Sequence, residues 1–354
     1  MIACIAEDRR SEIVPIKLCI ASLARHAPDL PIALFFPPVD ASFRSWLARF
    51  PKVTLHVEGV PYARGWNVKA FALRSLLDAG HADVWWIDSD ILVCSDFREL
   101  LGPLDAHDLV TTEDAIYGKY RDEGFRAQAW GFEPARRLPF TLNTGVVRVT
   151  NIHRALIEAW CEALDNPIYR NAQSLPTADR PFHLLGDQDV LTALLCSPQF
   201  ASVPVKILRR GQHIIQDFGP PGYLFEERLR NLVWPAALVH PQVEKPWKRA
   251  KMAPSIRDLR SYLQYMRMET SPYLLTAAKY AKIVDEPMPW LASRSWGGRL
   301  LRALGFGVSA LSGLPVAGIY GIGRLVRHFR GIDDGFDPGA AFAQLDDAWR
   351  VTAV

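Results

Sequence analysis

Cysteine is scarce in this sequence, and none of it is paired. Five residues, Cys4, Cys19, Cys94, Cys161 and Cys196, are scattered through 354 positions with no Cys-x-x-Cys. An odd, dispersed set argues against a disulfide framework and fits a reducing compartment, where thiols stay free. Charge of one sign is also lacking. Lys and Arg total 41 against 38 Asp and Glu, a net charge of +3, too small to argue for nucleic acid as a partner. The start of the chain lacks the apolar core of a secretory leader, since Met1–Ala6 runs straight into Glu7-Asp8. The N-terminus is therefore expected to be the first element of the fold, and the protein cytoplasmic. There is no internal repeat. What remains is ordinary for a soluble globular chain: 49% hydrophobic and 22% charged residues, with length for one large domain and an appendage.

In the first half, short apolar runs alternate with longer amphipathic ones. Ile2–Ala6, Ile32–Phe36, Val53–Val57 and Val84–Ile87 read as strands. Ile13–Arg25, Ser42–Arg49 and Asn67–Ala79 read as helices. The alternation predicts an α/β fold, a mixed, mainly parallel sheet with helices on both faces, whose ligands bind beyond the carboxyl ends of the strands. Thr112–Pro139 shows no clear period, as in a functional loop or lid. Gly145–Val149 is a further strand, and Ile152–Leu164 and Asp189–Leu195 are helices. The texture changes after Trp247. Ser255-x-x-Asp258 resembles a capping box, with Ile256, Leu259, Leu263 and Met266 on one helical face. The predicted organisation is an α/β unit over 1–250 and a helical, basic C-terminal appendage over 251–354.

Chemistry concentrates at Trp85-Trp86-Ile87-Asp88-Ser89-Asp90. In extended backbone residues i and i+2 point the same way, so Asp88 and Asp90 can converge on one cation at a strand's carboxyl end. The competing reading is a pair of aspartates in a turn. In Leu142-Asn143-Thr144-Gly145, an amide and a glycine precede a buried strand. Asn143 can donate to and accept from sugar hydroxyls, and Gly145 permits close approach of a ligand. Gly186-Asp187-Gln188-Asp189 opens a helix, where acids cap amides and where Asp187 and Gln188 can also hold a pyranose. His240 ends the apolar run Ala236–Val239, five residues before Lys245-Pro246-Trp247, and is either structural or ligating.

These motifs, in this order, resemble the nucleotide-diphospho-sugar transferases of the GT-A (Rossmann-like) fold, and glycosyltransferase family 8 most of all. The resemblance covers roughly residues 1–250. It implies that Asp88, Asp90 and His240 hold a divalent metal. Lys245 would contact the donor diphosphate, and Asn143, Asp187 and Gln188 would face the transferred sugar. Ala6 and Asp8 match the nucleoside site, and Ser89 belongs to the donor site. Two departures from the family stand out. Pro241-Gln242-Val243-Glu244 fills a gap that elsewhere holds a glycine and one more residue. Lys69 is the substitute for an arginine upstream of the Asp-x-Asp pair.

The resemblance implies a metal-dependent glycosyltransferase using a nucleotide-diphosphate-sugar donor, a glycan or lipid-linked acceptor, and retention. Mn²⁺ suits an imidazole-containing site better than Mg²⁺. Inversion would need a base among Asp187, Asp189, Glu113 and Asp114, whereas retention could use the Gln188 carbonyl. Two other classes compete. A sugar nucleotidyltransferase usually has a glycine-rich loop after the first strand, and Glu7-Asp8-Arg9-Arg10-Ser11 has no glycine. The other is a catalytically silent glycan- or metal-binding protein.

Residues 290–332 hold six arginines (Arg294, Arg299, Arg302, Arg324, Arg327, Arg330) and no acid, with 21 uncharged residues between Arg302 and Arg324. Gly305, Gly307, Gly313, Pro315, Gly318, Gly321 and Gly323 oppose one continuous helix. The segment is expected to lie in the interface of an anionic membrane, peripheral on its cytoplasmic face.

Overall fold

Every residue of Ile2–Ala6 is buried, and successive side chains enter different cores. Ile2, Cys4 and Ala6 face one cluster, and Ala3 and Ile5 the other. That two-sided burial needs cover on both faces, and helices supply it. The structure, a computed structural model, describes the chain except residues 38, 61–64, 115–123, 139, 218–221, 243–244, 249–251, 331–344, 347–348, 350 and 352–354. The strands are β1 (Ile2–Ala6), β2 (Ile32–Phe35), β3 (Val53–His56), β4 (Asp83–Ile87), β5 (Leu92–Val93), β6 (Leu109–Glu113), β7 (Leu142–Thr150), β8 (Val205–Leu208), β9 (Ile214–Gln216) and β10 (Leu238–His240). Seven of them form a mixed sheet in the order β3-β2-β1-β4-β7-β6-β8, all parallel except β7. A second sheet, β5-β10-β9, pairs β10 antiparallel to β5 and parallel to β9.

Helices α1 (Ile13–His26) and α2 (Ala41–Leu47) cover one face of the main sheet. On the other lie α3 (Val68–Asp78), α4 (Phe125–Ala129), α5 (Arg154–Asp165), α6 (Pro167–Gln173) and α7 (Asp187–Cys196). β4 shows the two-fold alternation cleanly, with Val84 and Trp86 entering one core and Trp85 and Ile87 the other. The expected α/β architecture is thus observed, with β7 longer than expected. β7 begins at Leu142 rather than Gly145, so Asn143, Thr144 and Gly145 lie inside the strand. The cause is cross-strand pairing, with Thr112 opposite Asn143 and Glu113 opposite Leu142. Thr112–Glu113 is likewise strand rather than loop, and α4 interrupts the rest of Thr112–Pro139. The remainder of the lid expectation lies partly outside the described residues.

After α8 (Phe225–Val233), which precedes β10, the C-terminal helices are α9 (Leu259–Glu269), α10 (Pro272–Ala277), α11 (Ala281–Val284), α12 (Trp296–Leu304), α13 (Ser309–Ser312) and α14 (Leu314–Phe329). A third core joins this region to the sheets: Tyr273, Leu274, Ala277 and Tyr280 pack with Leu18 of α1 and Val239 of β10. Buried Lys17 pairs with Glu286 at 2.6 Å, and the Trp46 indole donates to the Ile283 carbonyl at 2.8 Å.

One expectation here is corrected. Asp258 is itself the cap of α9, accepting from the Ser261 amide at 3.2 Å. The helix therefore starts at Leu259 and buries Tyr262 and Tyr265, while Ile256 and Leu259 are exposed. The glycine-rich segment is not one continuous helix, as expected: it breaks between α12 and α13 at residues 305–308 and again at Gly313, although α14 runs through Gly318, Gly321 and Gly323. Gly313, just before it, is required by packing: a Cβ there would overlap the buried Arg228 guanidinium. No helix among the described residues is long and apolar enough to cross a membrane.

Candidate functional site

β4 delivers Asp88 to the carboxyl edge of the sheet, where two local contacts fix it. Its amide donates to the Gly145 carbonyl at 2.8 Å, and the buried Trp86 indole donates to Asp88 Oδ1 at 2.7 Å. β10 ends on His240, whose Nε2 lies 3.6 Å from Asp88 Oδ2 and 3.5 Å from Asp90 Oδ1. Among the described residues these three form a group whose ligand atoms all lie within 4.8 Å of one another. Gly145 is also needed by packing within the site. A Cβ there would come within 2.8 Å of His240 Cε1 and 2.9 Å of its Nδ1, so the missing side chain makes room for the imidazole.

Two lysines balance the carboxylates. Lys245 Nζ is in direct contact with Asp90 Oδ2 and donates to the Pro241 carbonyl at 2.7 Å. Lys69, buried on α3, lies 3.2 Å from Asp88 Oδ1 and 3.6 Å from Asp187 Oδ2, and donates to Thr144 Oγ1 at 3.0 Å. Burial alone would raise the Asp90 pKa, but Lys245 and His240 outweigh it and hold the carboxyl well below the usual range. At Lys69 burial works against the charged amine, yet Asp187 and Asp88 prevail and its pKa is raised. The Asp187 pKa is raised by burial, against Lys69 and the Thr144 hydroxyl, which donates at 2.6 Å.

Gln188 has a fixed amide. Its Oε1 accepts from Asn143 Nδ2 at 3.0 Å, and its Nε2 donates to Asp114 Oδ2 at 2.9 Å. Asn143 Oδ1 accepts in turn from the Gly145 amide at 2.9 Å and the Thr112 hydroxyl at 3.1 Å. Asp189 reaches back to the Gly186 amide at 3.1 Å and pairs with buried Arg126 at 2.8 Å. Burial pushes the Asp189 pKa up to about 6 despite Arg126. The structure thus brings Asp88, Ser89, Asp90, Lys69, Asn143, Asp187, Gln188, His240 and Lys245 to one edge of the sheet.

Ala6 and Asp8 lie to one side, lining a cavity of about 710 Å³ with Phe35, Glu58, Asn67 and Phe71. Glu7, not among the residues expected at the site, joins the two places. Its carboxylate accepts from Ser89 Oγ at 3.0 Å and from Arg9 Nε at 2.7 Å, and it lines the same cavity. An acid between Ala6 and Asp8 at the end of a buried strand was the only sequence signal for it. Val243 and Glu244, part of the unusual gap after His240, lie outside the described residues.

No family model and no curated protein matches the sequence. Among solved structures, the chain is similar to the galactosyltransferase LgtC, solved in complex with donor and acceptor sugar analogues. That match has 15% identity and a TM-score of 0.48, covering 82% of this chain and 99% of LgtC. It is also similar to the bifunctional glycosyltransferase WbbM, at 15% identity and a TM-score of 0.43, covering 79% of this chain and 51% of that one. The glycosyltransferase GlyE of Streptococcus pneumoniae TIGR4 matches at 15% identity and a TM-score of 0.41, covering 81% of this chain and 66% of its own.

Proposed function

We propose that this protein is a metal-dependent glycosyltransferase that moves a sugar from a nucleotide-diphosphate-sugar donor to a glycan or lipid-linked acceptor, with retention. The observation that carries the reading is the convergence of Asp88, Asp90 and His240 beside a cavity at the carboxyl ends of β1 and β2. The donor set fits a divalent cation. It offers two carboxylates and one imidazole nitrogen within 4.8 Å, with excess negative charge balanced by two ammonium groups that have other partners to fall back on. A bound Mn²⁺ or Mg²⁺ would supply Lewis-acid stabilisation of the leaving diphosphate, with the imidazole favouring Mn²⁺.

The protein's own groups take the remaining tasks. The cavity lined by Ala6 and Asp8 holds the nucleoside. Glu7 and Ser89 couple that cavity to the Asp88–Asp90 turn, so that base and diphosphate register together. Lys245 holds positive charge where charge develops on the diphosphate, and Lys69 does so on the sugar side. Asn143, Asp187 and Gln188 orient the sugar. Retention follows from the family resemblance, and each candidate base for inversion already has a partner. Asp187 accepts from Thr144 beside Lys69, Asp189 is paired with Arg126, Glu113 lies 3.0 Å from the Arg209 guanidinium, and Asp114 accepts from Gln188. Gln188 Oε1 accepts from Asn143 Nδ2, and in this reading its remaining lone pair turns the carbonyl dipole toward a developing oxocarbenium ion. In this reading residues 1–250 carry the reaction and 251–354 form the appendage.

The test is a screen of uridine, guanosine, cytidine and adenosine diphosphosugars for donor hydrolysis, with Mn²⁺ and with chelator. Metal-stimulated release of one sugar supports the proposal, and silence across the panel favours a binding protein. A second expectation separates the two kinds of contact. Lys245→Ala should raise KM for the donor and lower kcat, because the diphosphate is present in both ground and transition states. Gln188→Ala should lower kcat by roughly 10–100-fold with little change in KM. Unchanged kinetics in both variants would return these residues to structural roles.

A further inference from the structure

Helix α8 is built inside out. Its buried face is polar: Glu227 pairs with Arg210 at 2.8 Å and caps the Leu224 amide at 2.7 Å. Arg228 lies over the Tyr223 ring at 4.2 Å and donates to the Ser309 carbonyl at 3.0 Å, and Asn231 donates to the Gly211 carbonyl at 2.7 Å. Its outer face is apolar at helical spacing, with Phe225, Leu229, Leu232 and Val233 exposed and Trp234 following. Val233 and Trp234 are 65% and 69% exposed. A surface helix in water normally has the opposite polarity, so this face is shaped for a surrounding other than water.

The neighbouring helices also expose apolar side chains. α14 packs against α8, with the Phe225 ring over Gly318, and exposes Ile319, Ile322, Val326 and Phe329 along one stripe. α12 packs against α13, which itself touches α8 and α14, and exposes Trp296, Leu300 and Leu304. From Met288 to Ile332 the sequence contains no acid. Arg299, Arg327 and Arg330 are exposed and Arg324 half-buried, whereas Arg302 is bound to the Glu269 and Leu291 carbonyls. On α8 itself, exposed Glu226 and Arg230 balance, so the positive excess belongs to α12, to α14 and to Arg330 just after it.

We infer that α8, α12 and α14 form one composite face that lies in the headgroup layer of an anionic bilayer, inserting apolar side chains and setting arginines against lipid phosphates. The chemistry selects this occupant. Three apolar stripes joined to a one-sided basic charge suit an anionic interface, where aromatic and aliphatic tips enter the acyl boundary and arginines snorkel. Spanning does not suit it, because α14, with 16 residues, reaches only about 24 Å against a hydrocarbon core of about 30 Å. The inference goes beyond the sequence expectation for 290–332 in assigning part of the face to α8, and it is independent of the sugar-transfer reading.

The experiment is co-sedimentation of the full chain with vesicles of phosphatidylcholine, alone or mixed equally with phosphatidylglycerol. Three variants are compared: Val233→Ser/Trp234→Ser, Ile322→Ser/Phe329→Ser, and Arg299→Gln/Arg327→Gln/Arg330→Gln. Wild type is expected on anionic vesicles only, with release in high salt, and each variant should lose about tenfold or more in partitioning. Cooperative melting checks that each variant folds, and Trp234→Ser alone replaces the first if it does not. Wild-type partitioning by the α8 variant, or equal binding to neutral vesicles, would overturn the inference. So would a stable lipid-free dimer, by sedimentation velocity, that the Val233/Trp234 substitutions dissociate, because the face would then belong to a second copy.

Discussion

Asp88→Asn and Asp90→Asn are each expected to lower turnover by about a thousandfold while leaving the protein folded, with the melting temperature nearly unchanged for Asp88→Asn. The size follows from the proposed chemistry, since loss of a charged ligand removes roughly 4 kcal/mol of transition-state stabilisation. The small structural effect follows from the local geometry. Asparagine keeps the volume, its amide carbonyl can still accept from the Trp86 indole, and the backbone bond from residue 88 to the Gly145 carbonyl is untouched. Chelator should abolish wild-type activity and Mn²⁺ restore it, whereas neither variant should recover fully with excess metal. Donor-hydrolysis kinetics with and without metal decide the matter. Full activity of chelated wild type would exclude a metal role for the cluster.

Arg126→Ala is expected to destabilise the fold by about 3–5 kcal/mol, because it strips the partner from a buried carboxylate. Arg126 and Asp189 are each 1% exposed and 2.8 Å apart, and Asp189 also holds the Gly186 amide at the start of α7. The double variant Arg126→Leu/Asp189→Asn should cost less, since it keeps the capping acceptor and leaves no buried charge. Urea denaturation with an unchanged slope measures both. Equal stability of Arg126→Ala and wild type would mean that Asp189 is solvated in solution. Because Asp187 and Gln188 open the same helix, the single variant should also lower activity below its unfolding midpoint.

Sequence alone determined the elements whose pattern is local. β1 and β4 were legible because a strand buried on both faces is a continuous apolar run, and α1, α3 and α5 because their apolar residues recur at helical spacing. Asp88 and Asp90 were legible for the same reason: two residues apart at a strand's end, they point one way by backbone geometry alone. The direction of β7 was not legible, since a wholly buried strand reads alike in either sense, and pairing with β4 and β6 makes it antiparallel. Nor was the second sheet, whose strands are two or three residues long. Only tertiary structure set Lys245 on Asp90 across 155 residues, tied Glu7 to Ser89 across 82, and placed His240 in the space left by Gly145. It also turned α8 apolar side outward, which a helical period cannot signal because the period marks a stripe and not the side that faces the core. Local patterns are fixed by neighbours one to four positions apart, whereas the site and the exposed face are made by strand order and packing, which bring together residues whose spacing in the chain carries no information.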